Sequence, residues 1–362
     1  MKYLNLLLVF AVIAILGELL GWNPLIVFVS SGLTMVPLAG LMGKATESLA
    51  VHTGPRLGGL LNATLGNAAE LIITVMAVRE GLVNPAINEQ MLELVRASLT
   101  GSILGNILLV LGLSMVVGGL RHGVQAFDRA HAGTNATMLM LAVAALVIPS
   151  LFSHNIEVAN HDAVEYLRLG VAGMMILLYV LAMIYQLRNS GARTYEDDEY
   201  RAAEEDAPHW SVARSGGVLF VSTVAIVVMS ELLVGSVEHV VVEIGITEFF
   251  LGIIIVPLIG NVAEHLVAVQ VAIKNKMELS LAISVGSSLQ IALFVAPLLV
   301  FVSLAMGNPL TLVFNRFELI ALGAAVLIGG LVSLDGESNW LEGSMLLTIY
   351  VIIALGFFWL PM

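Results

Sequence analysis

Residues 66–70 read Gly-Asn-Ala-Ala-Glu, and residues 260–264 read Gly-Asn-Val-Ala-Glu. Each phrase lies inside a long apolar stretch, LNATLGNAAELIITVMAV at 61–78 and IIIVPLIGNVAEHLVAVQV at 253–271. A carboxylate at the centre of a lipid-embedded helix costs roughly 2.5 to 3.5 kcal/mol on insertion scales. The same five-residue phrase carries such an acid twice, far apart in the chain. We read the two phrases as the corresponding parts of two related halves, and the two acids as sharing one intramembrane cation site.

Composition fixes the solvent around these phrases. Of 362 residues, 59% are hydrophobic and only 12% are charged. A soluble domain carries about 25% charged residues, so most of this chain lies in a bilayer. Apolar runs of about 20 residues call for helices, and the alternation of a membrane barrel is absent. The chain has no cysteine, which excludes disulfides and thiolate metal sites. A net charge of −12 argues against nucleic acid as a partner and fits a protein that handles cations.

Eleven hydrophobic spans follow from the pattern: 3–20, 24–42, 56–79, 92–119, 134–153, 163–188, 215–236, 249–273, 279–304, 316–334 and 341–360. The first resembles a signal peptide but ends in Gly17-Glu18-Leu19-Leu20 rather than a small-residue cleavage site, and is expected to stay as a span. Eleven of the fifteen Lys and Arg residues fall on the side that holds the N-terminus. That side is therefore the cytoplasmic one, the C-terminus lies outside, and the cell membrane is the expected location. The longest loop, 189–214, holds Glu196-Asp197-Asp198-Glu199 and Glu204-Glu205-Asp206 on the cytoplasmic side. It reads as a solvated linker, with capture of cytosolic Ca²⁺ as the alternative.

Without the first span, five spans precede this linker and five follow it. Five is odd, so two such units in series sit in opposite orientations, the inverted repeat that many transporters use to form a site near the midplane. The expected organisation is an extra N-terminal transmembrane helix at 1–22, a first five-helix repeat at 23–188, the linker at 189–214 and an inverted second repeat at 215–362. The fold class is an all-α polytopic membrane protein of about eleven helices. A second match supports the repeat: Gly101-Ser102-Ile103-Leu104 and Gly286-Ser287-Ser288-Leu289 follow the two Glu-bearing spans in the same order.

Glu70 and Glu264 are the first candidates, because acids inside a membrane mark ion pathways and proton relays. The plain alternative is a pair of buried structural acids. Asn67 and Asn261 offer neutral amide oxygens one turn earlier, or interhelical hydrogen bonds. Gly66, Gly260 and Pro257 are expected to break the two signature helices and free backbone carbonyls. Ser98, Ser102 and Asn106 share one face of the fourth span, and Ser284, Ser287, Ser288 and Gln290 cluster in the ninth. These are a second wall of oxygen ligands, or ordinary polar contacts between helices. His265 follows Glu264 and either relays protons or packs. Glu47 and Glu238 are entrance acids or, more simply, loop charges. The donor set is all oxygen, which selects hard cations and above all Ca²⁺. Two adjacent buried acids cannot both stay charged cheaply when Ca²⁺ leaves, and protons are the simplest replacement.

At these residues the chain resembles the calcium/proton exchanger branch of the cation/calcium exchanger superfamily. The stretches KATESLAVHTGPRLGGLLNATLGNAAELI (44–72), SLTGSILGNILLVLGLS (98–114), IVPLIGNVAEH (255–265), KNKM (274–277) and SVGSSLQIALFVAP (284–297) carry the likeness in order. The resemblance implies eleven helices and two inverted repeats. It matches Glu70 and Glu264 to the essential acids, Asn67 and Asn261 to the accompanying amides, Ser102, Ser287 and Gln290 to flanking polar residues, and His265 to the histidine of the second signature. Sodium/calcium exchangers are less similar, tending to carry proline where this chain has Ala69 and Ala263. The resulting expectation is a secondary antiporter exporting cytosolic Ca²⁺ against H⁺. Its metal ligands are Glu70, Glu264, Asn67, Asn261, Ser102, Asn106, Ser287 and Gln290, and its proton-coupling residues are Glu70, Glu264 and His265. No cofactor beyond the transported ions and no enzyme activity is expected, and a homo-oligomer is compatible with the sequence. The rivals are a sodium/calcium exchanger, a cation channel and, last, an intramembrane enzyme.

Overall fold

The computed structural model describes residues 4–53, 65–159, 161–189 and 210–360, with backbone alone for 153–159, 161–164 and 186–189. Most of the acidic linker therefore lies outside the described residues. The rest is almost wholly helical. In chain order the helices are α1 (Leu4–Leu19), α2 (Pro24–Thr53), α3 (Ala68–Val83), α4 (Pro85–His122), α5 (Arg129–Ala159), α6 (His161–Asn189), α7 (Val212–Gly235), α8 (Val237–Ile244), α9 (Glu248–Ile273), α10 (Met277–Met306), α11 (Arg316–Val332) and α12 (Trp340–Phe358). Two short strands, β1 (Gln125–Ala126) and β2 (Glu337–Ser338), pair antiparallel.

Every expected span overlaps one of these helices, and eight are long and apolar enough to cross a bilayer. The chain is a polytopic, all-α membrane protein. Two details differ from expectation. Glu47 is not a loop charge: α2 continues to Thr53, so Glu47 lies within it. Glu238 also lies in a helix, the short α8, whose stop at Gly245 (φ 73°) is a left-handed cap of the kind that ends many helices.

The chain divides into two compact units, Met1–Val95 with Ser190–Glu264, and Arg96–Asn189 with His265–Leu360. Each draws segments from both sequence halves. In the first unit α2 and α7 run antiparallel, since Ser48 bonds Ser215 while Gly32 approaches Leu233. Lipid supplies no hydrophobic drive between helices, so close packing of small residues must hold such a pair. The buried residues Ser30, Ser31, Thr34, Ala39 and Ala45 of α2 and Ser222 and Ser230 of α7 fit that need. Several of the hydroxyls are spent on their own helix: Thr34 Oγ1 donates to the Ser30 carbonyl at 2.8 Å and Ser222 Oγ to that of Val218 at 2.7 Å.

In the second unit α4 and α12 cross at two glycines. A Cβ on Gly343 would lie 2.5 Å from the Gly112 carbonyl oxygen and 2.6 Å from the Val116 nitrogen, both backbone atoms that have no room to yield. At one end of the unit, Gln125 on β1 is buried and its Nε2 donates to the Ala272 carbonyl at 3.1 Å and to Asn275 Oδ1 at 2.8 Å. Nearby, Asp128 caps α5, its Oδ1 accepting from the backbone N–H groups of Ala130 (2.7 Å) and His131 (3.1 Å).

The His131 backbone donor, followed by that of Ala130, holds the Asp128 carboxyl below its usual range. A lowered carboxyl pKa adds stability that is fully present above the ordinary aspartate value of about 3.9 and is lost as pH falls through the lower folded-state value. Asp128→Ala is expected to cost about 1 kcal/mol at neutral pH, less whatever solvent screening removes at this exposed site. Melting curves of wild type and variant at pH 7 and below pH 3 check this. The gap closes in acid, and a gap of equal size at both pH values would contradict the capping role.

Candidate functional site

The first signature begins at a turn. Gly66 and Asn67 form it, and α3 starts at Ala68. Asn67 is buried at the N-cap position and makes no side-chain cap bond to α3. Glu70 sits in the first turn of α3 and is 1% exposed. A helix N-terminus favours negative charge there by about 0.3–1 kcal/mol or more, which offsets part of the cost of a carboxylate in lipid.

The second signature differs locally. Gly260 and Pro257 do not break α9: its α-helical part runs from Val256 to Ile273 through both signature residues. The irregularity lies just before Pro257, in a wide π-helical segment, Leu251–Ile255, where the Val256 N–H bonds the Leu251 carbonyl. The gap that proline leaves in the backbone ladder is thus met by a wide turn rather than a break. Gly260 instead marks proximity. A Cβ there would lie 3.7 Å from that of Glu70. Asn261 Nδ2 donates to Glu70 Oε2 at 3.5 Å, a long bond between buried groups. Glu264 follows Gly260 by one turn on the same face of α9 and is half-buried. The first unit therefore gathers Glu70, Asn261 and the face of α9 that carries Glu264, with Asn67 three residues before Glu70.

The second unit holds the hydroxyl walls. On α4, Ser98, Ser102 and Asn106 are each 1% exposed. Asn106 lies in a second π-helical segment, Gly105–Val110, in which the Leu111 N–H bonds the Asn106 carbonyl. Its Oδ1 lies 3.1 Å from His265 Nε2. An amide oxygen only accepts, so Nε2 carries the proton of that bond. Asn106 Nδ2 and Ser98 Oγ are buried with no hydrogen-bond partner among the described residues. Such unspent polar atoms are costly unless something polar visits them. On α10, Ser284 and Ser288 donate to the carbonyls of Ser280 and Ser284, each at 3.0 Å. Ser287 is buried, and Gln290 is half-buried at the last α-helical position before a third π segment, Ile291–Val295.

These segments are what the residue pattern did not reveal. The one on α4 begins four residues after Gly101 and the one on α10 five residues after Gly286, so these two wide turns recur at nearly matching places in the two halves. Wide turns of this kind are frequent at functional sites. In chemical terms the residues offer carboxylates, amides and hydroxyls, a donor set for a hard cation.

Comparison with known proteins gives a consistent result. A model of the sodium/calcium exchanger protein family matches residues 23–188 and 214–359. A Ca²⁺/H⁺ antiporter of Aphanothece halophytica is 42% identical, over 98% of this chain and 96% of its own length. The Ca²⁺/H⁺ antiporter ChaA of Bacillus subtilis is 44% identical, over 96% of this chain and 95% of its own. The structure of native YfkE superposes with a TM-score of 0.83 at 40% identity, covering 99% of each chain.

Proposed function

We infer the function of this chain from one premise: it belongs to the sodium/calcium exchanger protein family. It is a secondary active antiporter that exports cytosolic Ca²⁺ in exchange for H⁺. The observation that carries this reading is the repeated signature acid, sealed at Glu70 against the amide of Asn261 from the other half of the sequence. Glu70 and Glu264 bind Ca²⁺, and Asn67 and Asn261 supply neutral oxygens. The polar residues Ser102, Asn106, Ser287 and Gln290 supply the others, and His265 assists proton coupling. Two carboxylates neutralise one divalent ion, and each takes a proton when the ion leaves. Proton coupling rather than sodium coupling is supported by the full-length relatives, which are Ca²⁺/H⁺ antiporters, and by alanine at positions 69 and 263.

The chain works in the cell membrane with its N-terminus and acidic linker in the cytoplasm and its C-terminus outside. Its architecture is an extra first helix and two inverted five-helix repeats, at 23–188 and 215–362. The two stretches matched by the family model support that division. Access alternates as α2 and α7, the first helices of the two repeats, slide or rock.

The test is ⁴⁵Ca²⁺ uptake into sealed vesicles holding the purified protein, with a proton gradient imposed and sodium absent. Uptake that collapses on adding a protonophore is expected. Uptake that requires a sodium gradient would move the protein to sodium exchange, and Ca²⁺ flux with no counter-ion would make it a channel.

A further inference from the structure

One sequence device occurs twice in the second unit, and the two copies differ in a telling way. Asn315-Arg316-Phe317-Glu318 opens α11 and Asn339-Trp340-Leu341-Glu342 opens α12, each as a capping box in which the Asn side chain and the Glu side chain satisfy each other's backbone N–H groups. Glu342 is half-buried, and its hydrogen bond is with Asn339 of the box. Glu318 is 3% exposed and does more. Its Oε2 accepts from the Asn315 N–H at 2.8 Å, which completes the box, while its Oε1 accepts from Thr100 Oγ1 on α4 at 3.0 Å. The cap needs only the first of these bonds.

Thr100 stands on the reverse of the polar face of α4. At about 100° per residue, it is turned roughly 160° from both Ser98 and Ser102. Further along the same helix, Ile107 fits against Gly329 of α11, where a Cβ would come within 2.6 Å of Ile107 Cγ2. The back of α4 is thus held to α11 at two points, one a hydrogen bond between hydroxyl and carboxyl and one a close fit. A helix held on one side is fixed in rotation, and rotation decides where its opposite side faces.

We propose that Glu318 is a positioning residue: through Thr100 it sets the rotation of α4, and so the direction in which Ser98, Ser102 and Asn106 present their polar atoms to the transported cation. This rests on the reading above that the hydroxyl and amide groups of α4 serve Ca²⁺. Glu318 is assigned this role rather than that of a ligand because one of its oxygens completes the cap of α11 and the other meets Thr100, on the side of α4 turned away from Ser98 and Ser102. It acts as outer-shell partners do in metal sites, by orienting groups that touch the ion.

The test is equilibrium ⁴⁵Ca²⁺ binding to the purified full-length protein, with thermal melting as a check on folding. Thr100→Val is expected to raise the Kd for Ca²⁺ about tenfold, and Thr100→Ser, which keeps the hydroxyl, to bind within about twofold of wild type. Glu318→Gln, of equal size, gives a second reading should Thr100→Val fail to fold. Glu342→Gln, in the matching box on α12, is expected to leave binding unchanged. Wild-type affinity in folded Thr100→Val or Glu318→Gln overturns the proposal, as does an equal loss in Glu342→Gln. Wild-type protein that binds no Ca²⁺ sinks the functional reading itself. Wild type that binds Ca²⁺ but shows no proton-driven uptake removes only proton exchange, and the binding series still decides the role of Glu318.

Discussion

Glutamine in place of Glu70 or Glu264 is expected to abolish proton-driven Ca²⁺ uptake. The substitution keeps the size of the side chain and one oxygen acceptor, so what it removes is charge and the capacity to take a proton. Glu70 is buried at the start of α3 beside the Asn261 amide. With one acid gone, a divalent ion is left half-neutralised in a low-dielectric setting. Calcium sites change affinity over several orders of magnitude with ligand charge, so a loss of at least about a hundredfold is expected at either position. The return step fails as well, because an amide carries no proton back. The measurement is ⁴⁵Ca²⁺ uptake in sealed vesicles with matched protein content. Uptake within tenfold of wild type in either variant would remove that residue from the site.

The largest expected loss of folding comes from Gly343→Leu. The α4–α12 crossing leaves no space at Gly343: a single carbon there already meets the Gly112 carbonyl and the Val116 nitrogen. Both neighbours belong to the backbone of α4, so relief requires the helices to part. Overpacking of this kind costs about 1–3 kcal/mol and sometimes more, and a leucine adds three further carbons to the clash. Gly356→Leu is the matched control, since it lies on the same helix with no neighbouring atom within 4 Å of its Cβ position. Yield of monodisperse protein and melting temperature in detergent are the readouts. Gly343→Leu should fall well below wild type and Gly356→Leu should not. Equal behaviour of the two would mean that the crossing is looser than the structure places it.

How much of this was legible in the sequence depends on what leaves a mark there. A carboxylate in an apolar run stands out by contrast, so Glu70 and Glu264 were visible, and so was the repetition of their phrase. Helices were visible because a run of about 20 apolar residues has few alternatives in lipid. The wide turns were not visible. Their sequences, GNILLV, LGIII and IALFV, are nearly all apolar, and a one-residue slip in a uniformly apolar helix changes no pattern. The break expected at Gly260 was misread for a related reason. Glycine weakens an exposed helix through backbone freedom, but α9 is hemmed in there by Ile73 and Glu70, and the helix continues. The double duty of Glu318 was hidden because Asn-x-x-Glu reads the same whether the acid serves only its cap or also reaches another helix, as the contrast with Glu342 makes plain.

The three wide turns also bear on how this chain tolerates change in length. Each stores one surplus residue within a helix, the one on α9 close to its start at Glu248. Deleting one residue there leaves both helix ends and every connection where they were. It closes the wide turn into an ordinary one and leaves the side chains beyond it facing where they did, whereas the same deletion in a regular stretch would swing them by about 100° about the axis. The loss of one apolar codon between 107 and 110 would keep both the polar residues of α4 and the directions they face. At these points the chain absorbs a change of length that a regular turn would not, and two relatives can differ by one residue there while their lining residues face the same way.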